Sequence, residues 1–264
     1  MASEERLMSV AQMFRLDGQV ALVTGGSRGL GLQMAEALGE MGCGVALTAR
    51  KAEELQQAKA HLEARGVRVL TCASDLQQSD RIPALLDEIK RGLGEIDILV
   101  NNAGATWGAP AESYPDEAWH KVMNLNVNAT FFLSREVARR SMIPRGRGKI
   151  VNVASIAGMK ANGPGMYTVA YNTSKAAVIH LTRVLAAEWG RHNINVNAIC
   201  PGFFPTRMSA GLLDKISDTV IERTPLGRLG GDEDLKGAVL LFASEAGRHI
   251  TGQALAVDGG SSIV

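Results

Sequence analysis

The chain has 264 residues, enough for one large α/β domain, because a domain of this size buries roughly three quarters of its extended surface. Its 28 basic and 27 acidic residues nearly cancel, which excludes a global field drawing it to nucleic acid or to an anionic membrane. No apolar run approaches the ~20 residues needed to span a bilayer.

Cys43, Cys72 and Cys200 are odd in number, far apart and each set in an apolar stretch, which predicts buried thiols in a reducing, cytoplasmic compartment. The five histidines have no zinc-site spacing, so no catalytic metal is expected. Glu4 and Glu5 and the lack of an unbroken apolar run argue against an export signal. Residues 1–14 read as an N-terminal arm whose stretch from Leu7 to Phe14 packs on the domain or on a neighbour, and residues 15–264 read as one catalytic domain.

Taken in chain order, short β-rich apolar runs alternate with longer amphipathic stretches, the pattern of a parallel sheet covered by helices on both faces. Strands are predicted at Val20–Thr24, Gly44–Thr48, Arg68–Cys72, Ile96–Val100, Lys149–Val153, Asn195–Ile199 and Ala254–Val257. Helices are predicted to start near Gly29, Ala52, Ser79, Asp116, Tyr171 and Asp232. The expected architecture is a single Rossmann-type doubly wound domain with seven parallel strands. Residues 202–231 are too long for a simple connection, and Phe203, Phe204, Met208, Leu212 and Leu213 there suggest an apolar cover with a short helix.

The first strand runs directly into Thr24-Gly25-Gly26-Ser27-Arg28-Gly29-Leu30-Gly31 and then a helix. Gly25 permits the turn, Gly29 lets backbone approach a pyrophosphate, and Gly31 lets the helix pack close to the strand. The helix N-terminus offers unpaired N–H groups to phosphates. The second strand ends at Leu47-Thr48-Ala49-Arg50-Lys51, without the carboxylate that would bind a ribose 2′-hydroxyl. Arg28 and Arg50 are expected to converge on a 2′-phosphate, which selects NADP. Asp75, ending the third strand, is placed to meet an adenine amino group, and Asn101, Ala103 and Gly104, ending the fourth, to line the adenosine side of the cleft.

Tyr171 and Lys175 stand four apart at the start of a helix, so their side chains are neighbours. The ammonium is expected to depress the phenol's pKa toward neutrality, letting Tyr171 exchange a proton with a carbonyl or alcohol oxygen. Ser155, ending the fifth strand, is placed either to donate to that oxygen as charge builds or to cap the following turn.

With these segments in view, the chain resembles the short-chain dehydrogenase/reductase family over essentially its whole length after Phe14. The motifs are Thr-Gly-x-x-x-Gly-x-Gly at 24–31, Asn-Asn-Ala-Gly at 101–104, Asn126 in Leu125-Asn126-Val127, Ser155, Tyr171-x-x-x-Lys175, and Pro201-Gly202 followed by Thr206. The resemblance implies a catalytic tetrad of Asn126, Ser155, Tyr171 and Lys175. In the family the asparagine holds a relay water and the lysine also binds the nicotinamide ribose; Thr206 would touch the carboxamide. The cofactor contacts expected are then Gly25, Ser27, Arg28, Gly29, Leu30, Gly31, Arg50, Asp75, Leu76, Asn102, Ala103, Gly104, Tyr171, Lys175, Pro201, Gly202 and Thr206. The stretch between Ser155 and Tyr171 is a few residues longer than in many members, with Gly163-Pro164-Gly165-Met166 inside it.

Within the family the chain is similar to β-ketoacyl carrier-protein reductases of the rhamnolipid-pathway type, through residues 101–108, Glu-Ser-Tyr-Pro at 112–115 and Phe-Pro-Thr-Arg-Met at 204–208. It also resembles gluconate 5-dehydrogenases. Trp107, Met159, Met166, Tyr167, Phe203 and Met208 suggest a largely apolar substrate wall. The leading expectation is NADPH-dependent reduction of a β-ketoacyl thioester or related ketone. The alternatives are an NADP-dependent sugar-acid or polyol dehydrogenase and a non-catalytic NADP-binding scaffold. Arg139, Arg140, Arg145, Arg147 and Lys149 crowd one stretch, where Arg145 and Arg147 suggest docking of an acidic carrier protein or a CoA phosphate, against a merely solvated helix end. The resemblance implies a homotetramer paired through helices at roughly 116–140 and 171–190.

Overall fold

A computed structural model describes residues 8–163 and 165–264. Seven parallel strands form one sheet in the order β3-β2-β1-β4-β5-β6-β7, where β1 is Val20–Thr24, β2 Gly44–Ala49, β3 Val69–Ala73, β4 Ile98–Asn101, β5 Gly148–Val153, β6 Ile194–Pro201 and β7 Ala254–Val257. Strand order reverses between β1 and β4, which opens a crevice at the carboxyl ends of these two strands. β1, β4 and β6 are buried at every position, as near-continuous apolar runs in a sheet covered on both faces require.

Alternation along the strands divides the core. Ala21, Val23 and Leu47 face a cluster with Met34 and Leu38 of α2 (Gly29–Glu40), Leu55 and Leu62 of α3 (Ala52–Glu63) and Val239 and Phe242 of α9 (Lys236–Ala243). Val20, Leu22 and Leu99 face Ile82 and Ile89 of α4 (Ile82–Gly92), Leu133 and Val137 of α6 (Ala129–Val137) and Leu185 of α7 (Val169–Trp189). All three cysteines are free and buried. The arm is a four-residue helix, α1 (Val10–Met13), with Ser9 and Gln12 in a capping box; Leu7 lies outside the described residues. No described helix is long and apolar enough to cross a membrane.

Three boundaries differ from expectation. The turn Ser79–Arg81 is a 3₁₀ step before α4, whose early Pro83 suits a first helical turn. The last helix begins at Lys236, four residues after Asp232, because Asp234 is tied to Arg228 at 2.5 Å and to the Gly231 N–H at 2.7 Å. The excursion after β6 contains α8 (Ala210–Arg223), a fourteen-residue helix that the apolar cover alone did not size.

Candidate active site

The glycine-rich turn runs from Thr24 at the end of β1 into the first turn of α2. Gly25 and Gly29 have φ of +62° and +53°, where a side chain is strained. A Cβ on Gly31 would stand 2.4 Å from both the Gly25 carbonyl and the Asn102 amide, so Gly31 serves closeness within the loop itself. The Thr24 hydroxyl accepts from the N–H groups of Asn102 and Ala103 at 2.9 Å, and the Asn102 amide donates to Thr24 O at 2.9 Å and to Gly25 O at 3.2 Å. Asn102 thus fastens the loop to the end of β4. No side chain caps the start of α2, so its first N–H groups are free to take an anion, which is the fit a pyrophosphate needs.

At the far end of this crevice Arg28 meets not Arg50 but Glu54, at 2.7 Å. Arg50 is exposed and forms no ion pair among the described residues. Glu54 also pairs with Lys51 at 3.3 Å and with Arg207 at 3.4 Å. The sequence reading stopped at the strand end and missed this carboxylate one helical turn on. Asp75 is half-buried and uses one oxygen to accept from the Gln77 N–H, leaving the other, and Leu76 is buried beside it. Asn101 does not line the cleft. Its amide is buried and donates to Ser134 and Asn152, both at 2.9 Å, because its side chain points into the sheet's α6–α7 face.

At the carboxyl end of β5, Ser155 is buried and its hydroxyl accepts from the Ala157 N–H at 3.1 Å, so it caps the turn while standing beside Tyr171. The Lys175 ammonium donates to Val153 O at 2.7 Å and lies 5.6 Å from the centre of the Tyr171 ring. Burial lowers the Lys175 pKa to about 8. The expected acidification of Tyr171 does not appear. Burial raises the phenol's pKa, and the neighbouring Ser155 hydroxyl only partly offsets this. Lys175 is buried too, so desolvation opposes its own charge before that charge can act on the phenol.

Asn126 sits in a π-helical turn, Asn124–Asn128, between α5 (Asp116–Met123) and α6. Such wide turns interrupt helices where a side chain must be re-aimed. Its amide donates to Ala105 O and to Ser174 Oγ, both at 2.9 Å, and its oxygen accepts from the Ala105 N–H at 2.8 Å. Ser174 in turn donates to Tyr171 O at 2.7 Å. Ser174 thus joins Asn126 to the tyrosine's own backbone, a link signalled only by its place between Tyr171 and Lys175. Gly104 lies against this group: a Cβ there would be 3.3 Å from Asn126 Oδ1 and 3.7 Å from Lys175 Nζ.

The segment after β6 closes over the glycine turn. Gly202 packs on Asp258, and Thr206 stands 3.7 Å from where a Cβ on Gly29 would be. Ser209 fixes Thr206, accepting from its N–H at 2.9 Å. Trp107, Met159, Tyr167 and Met208 are 47, 47, 56 and 51 % exposed, and Met166 and Phe203 are half-buried. Phe204 and Leu213 are buried: Phe204 packs in the core against Gly230 and is not part of a cover. The Leu212 side chain and Pro164 lie outside the described residues.

The basic stretch before β5 is at the opposite edge of the sheet. Arg145 pairs with Asp97 at 2.7 Å and Arg147 with the same carboxylate at 3.2 Å; Arg139 pairs with Glu136 and Arg140 with Asp87. Asp97 also accepts from the Val20 N–H at 3.0 Å, so Arg145 braces the starts of β1 and β4. Arg145 and Arg147 share one carboxylate at the amino edge of the sheet, whereas Tyr171 stands at the carboxyl edge. A cavity of about 510 Å³ lined by Arg147, Lys149, Asn193 and Arg248 shares that edge and touches none of the catalytic candidates.

Comparison with known proteins places the fold in a family. Residues 19–217 match the family model described as short chain dehydrogenase. The chain is 42 % identical to a gluconate 5-dehydrogenase of Gluconobacter oxydans over 97 % of its own length and 99 % of the relative's. It is 38 % identical to the rhamnolipids biosynthesis 3-oxoacyl-[acyl-carrier-protein] reductase of Pseudomonas aeruginosa, covering 94 % and 97 %. Its structure is similar to that of a gluconate 5-dehydrogenase from Burkholderia cenocepacia, crystallised with NADP and tartrate, with a TM-score of 0.91, 35 % identity and coverage of 97 % and 100 %. From motifs, sheet order and site geometry together with these matches, the chain belongs to the short-chain dehydrogenase/reductase family, whose members are oxidoreductases.

Proposed function

We propose that the chain interconverts a ketone and a secondary alcohol with NADP, using Tyr171 as a neutral acid in the reducing direction. The observation that carries this reading is the convergence of Ser155, Tyr171 and Lys175 at the carboxyl edge beside an uncapped α2 and a glycine turn. Bound nicotinamide would supply or accept the hydride at the carbonyl carbon. Tyr171 gives its phenolic proton to the carbonyl oxygen, and the Ser155 hydroxyl donates to the same oxygen. Lys175, mostly protonated below its pKa of about 8, favours the phenolate left behind. Asn126, through Ser174, holds the backbone at Tyr171 in place, and a relay water on Asn126 belongs to the same reading. Arg28, Lys51 and Arg50 around the end of β2 supply the charge that a 2′-phosphate matches.

Among substrates, a keto acid of the sugar series comes first, because a gluconate 5-dehydrogenase matches at 42 % identity over nearly the whole chain. A β-ketoacyl thioester or related ketone is the second, favoured by the exposed large side chains of Trp107, Met159, Tyr167 and Met208. The free buried thiols fit a cytoplasmic setting. A homotetramer fits the half-buried Phe131 and Phe132 under Arg135 on α6 and Val184, 40 % exposed, on α7.

NADPH consumption with 5-keto-D-gluconate and with a 3-oxoacyl thioester tests this. The expected kcat/KM is at least about tenfold higher for the keto acid, the size of effect that one lost or misplaced contact produces. The opposite order assigns the acyl substrate. No turnover on a broad carbonyl panel, with NADPH still bound, identifies a scaffold and refutes the reading.

A further inference from the structure

Among the described residues, Glu54 is the one carboxylate on which three cations from three separate segments meet. Arg28 comes from the turn after β1, Lys51 from the turn after β2, and Arg207 from the segment after β6. All three reach the same atom, Oε1, at 2.7, 3.3 and 3.4 Å. The carboxylate is 22 % exposed beneath guanidinium and ammonium groups that are 50, 63 and 69 % exposed, so the cations face outward with a surplus of positive charge. Glu54 neutralises one of the three charges and leaves two, and exposed Arg50 adjoins them. A dianion matches this excess; an uncharged hydroxyl does not.

We infer that Glu54 sets the coenzyme preference of this chain, holding Arg28, Lys51 and Arg207 in place and yielding them to a 2′-phosphate when one arrives. The inference rests on the NADP reading above. A phosphate at this position competes with Glu54 for the same N–H donors and is repelled by its charge. A dinucleotide lacking the phosphate meets a carboxylate able to accept from its ribose hydroxyl. Glu54 therefore narrows the gap between the two coenzymes. Arg207 is the element that ties this choice to the site: it follows Thr206, which lies over Gly29, so a phosphate that holds Arg207 also holds the post-β6 segment down.

Calorimetric titration with 2′,5′-ADP and with 5′-ADP reads the preference without turnover. In the full-length chain, Glu54→Gln is expected to raise the affinity ratio of 2′,5′-ADP to 5′-ADP about fivefold, the effect of removing one charge at about 4 Å across water. Arg207→Ala is expected to lower the same ratio by a similar factor. A ratio that stays within twofold of wild type, or falls, in Glu54→Gln overturns the role of Glu54, and an unchanged ratio in Arg207→Ala overturns the hand-over. Arg28→Ala separates the two levels. If Arg28→Ala lowers the ratio and Glu54→Gln does not move it, the NADP reading stands and this inference fails. If wild type binds the two probes equally and Arg28→Ala changes nothing, the NADP reading itself is wrong.

Discussion

At the scale of single residues, the candidate site departs most from simple charge reasoning at its lysine. Spacing alone put Tyr171 beside Lys175, and the structure keeps them neighbours at 5.6 Å. Spacing carries no information on burial, and burial decides the direction of both shifts: the phenol goes up and the ammonium comes down to about 8. Cys200 behind them is likewise pushed up to about 11 and stays a neutral thiol. Between about 8 and the ordinary 10.5 the folded chain has released a proton that the unfolded chain still holds, so the cost of burying this lysine's charge is present in full below about 8 and is relieved as pH rises through that window. A ¹⁵N NMR titration of the Lys175 ammonium in cofactor-free enzyme should give a midpoint near 8. A midpoint near 10.5 would contradict the desolvation argument.

At the scale of elements, strands and the glycine turn were legible and the connections that aim side chains were not. Apolar runs bounded by Gly, Asn and Asp mark strands whatever the tertiary context, which is why all seven strands lie within a residue or two of expectation. The π turn at Asn124–Asn128 leaves no such trace, because its extra residue is set by what Asn126 must reach. The same holds for the longer stretch after Ser155. There Asn162 donates to Thr168 at 2.8 Å and to Asn172 at 3.1 Å, and Thr168 donates to Asn172 at 2.8 Å, pinning the loop to the first turn of α7. Asn126→Ala removes three side-chain hydrogen bonds and strands Ala105 and Ser174. We expect a loss of about 2–3 kcal/mol and a melting point lower by roughly 5–10 °C, read by calorimetry alongside a fall in kcat. A melting point within about one degree of wild type would show that the turn does not depend on this side chain.

At the scale of the whole molecule, the sheet separates two kinds of work. Its amino edge is a structural seam, where Arg145 and Arg147 neutralise buried Asp97. The acid these arginines meet could not be read from the run, because like charges adjacent in sequence say nothing about the acids that folding brings from elsewhere. Glu54 escaped notice for the same reason: its partners Arg28 and Arg207 lie 26 and 153 residues away. Its carboxyl edge collects the chemistry, since every βα turn of a parallel sheet ends there. Buried amides tie the two halves of the site together: Asn101 bonds Asn152, which donates to Thr182 at 2.9 Å and so fixes α7, and with it Tyr171, against β4 and β5. Seven strands and both helical layers were legible from alternation, while these polar ties needed the fold to be seen.

The account makes this scaffold the carrier of one transferable proton, and Tyr171→Phe tests it with three readings on the same intact protein. Turnover should fall by about 10²–10⁴-fold, the range for loss of a positioned acid, while NADPH affinity stays within about threefold and the melting point within about 3 °C of wild type. Turnover close to wild type in a folded, NADPH-binding Tyr171→Phe variant would contradict it.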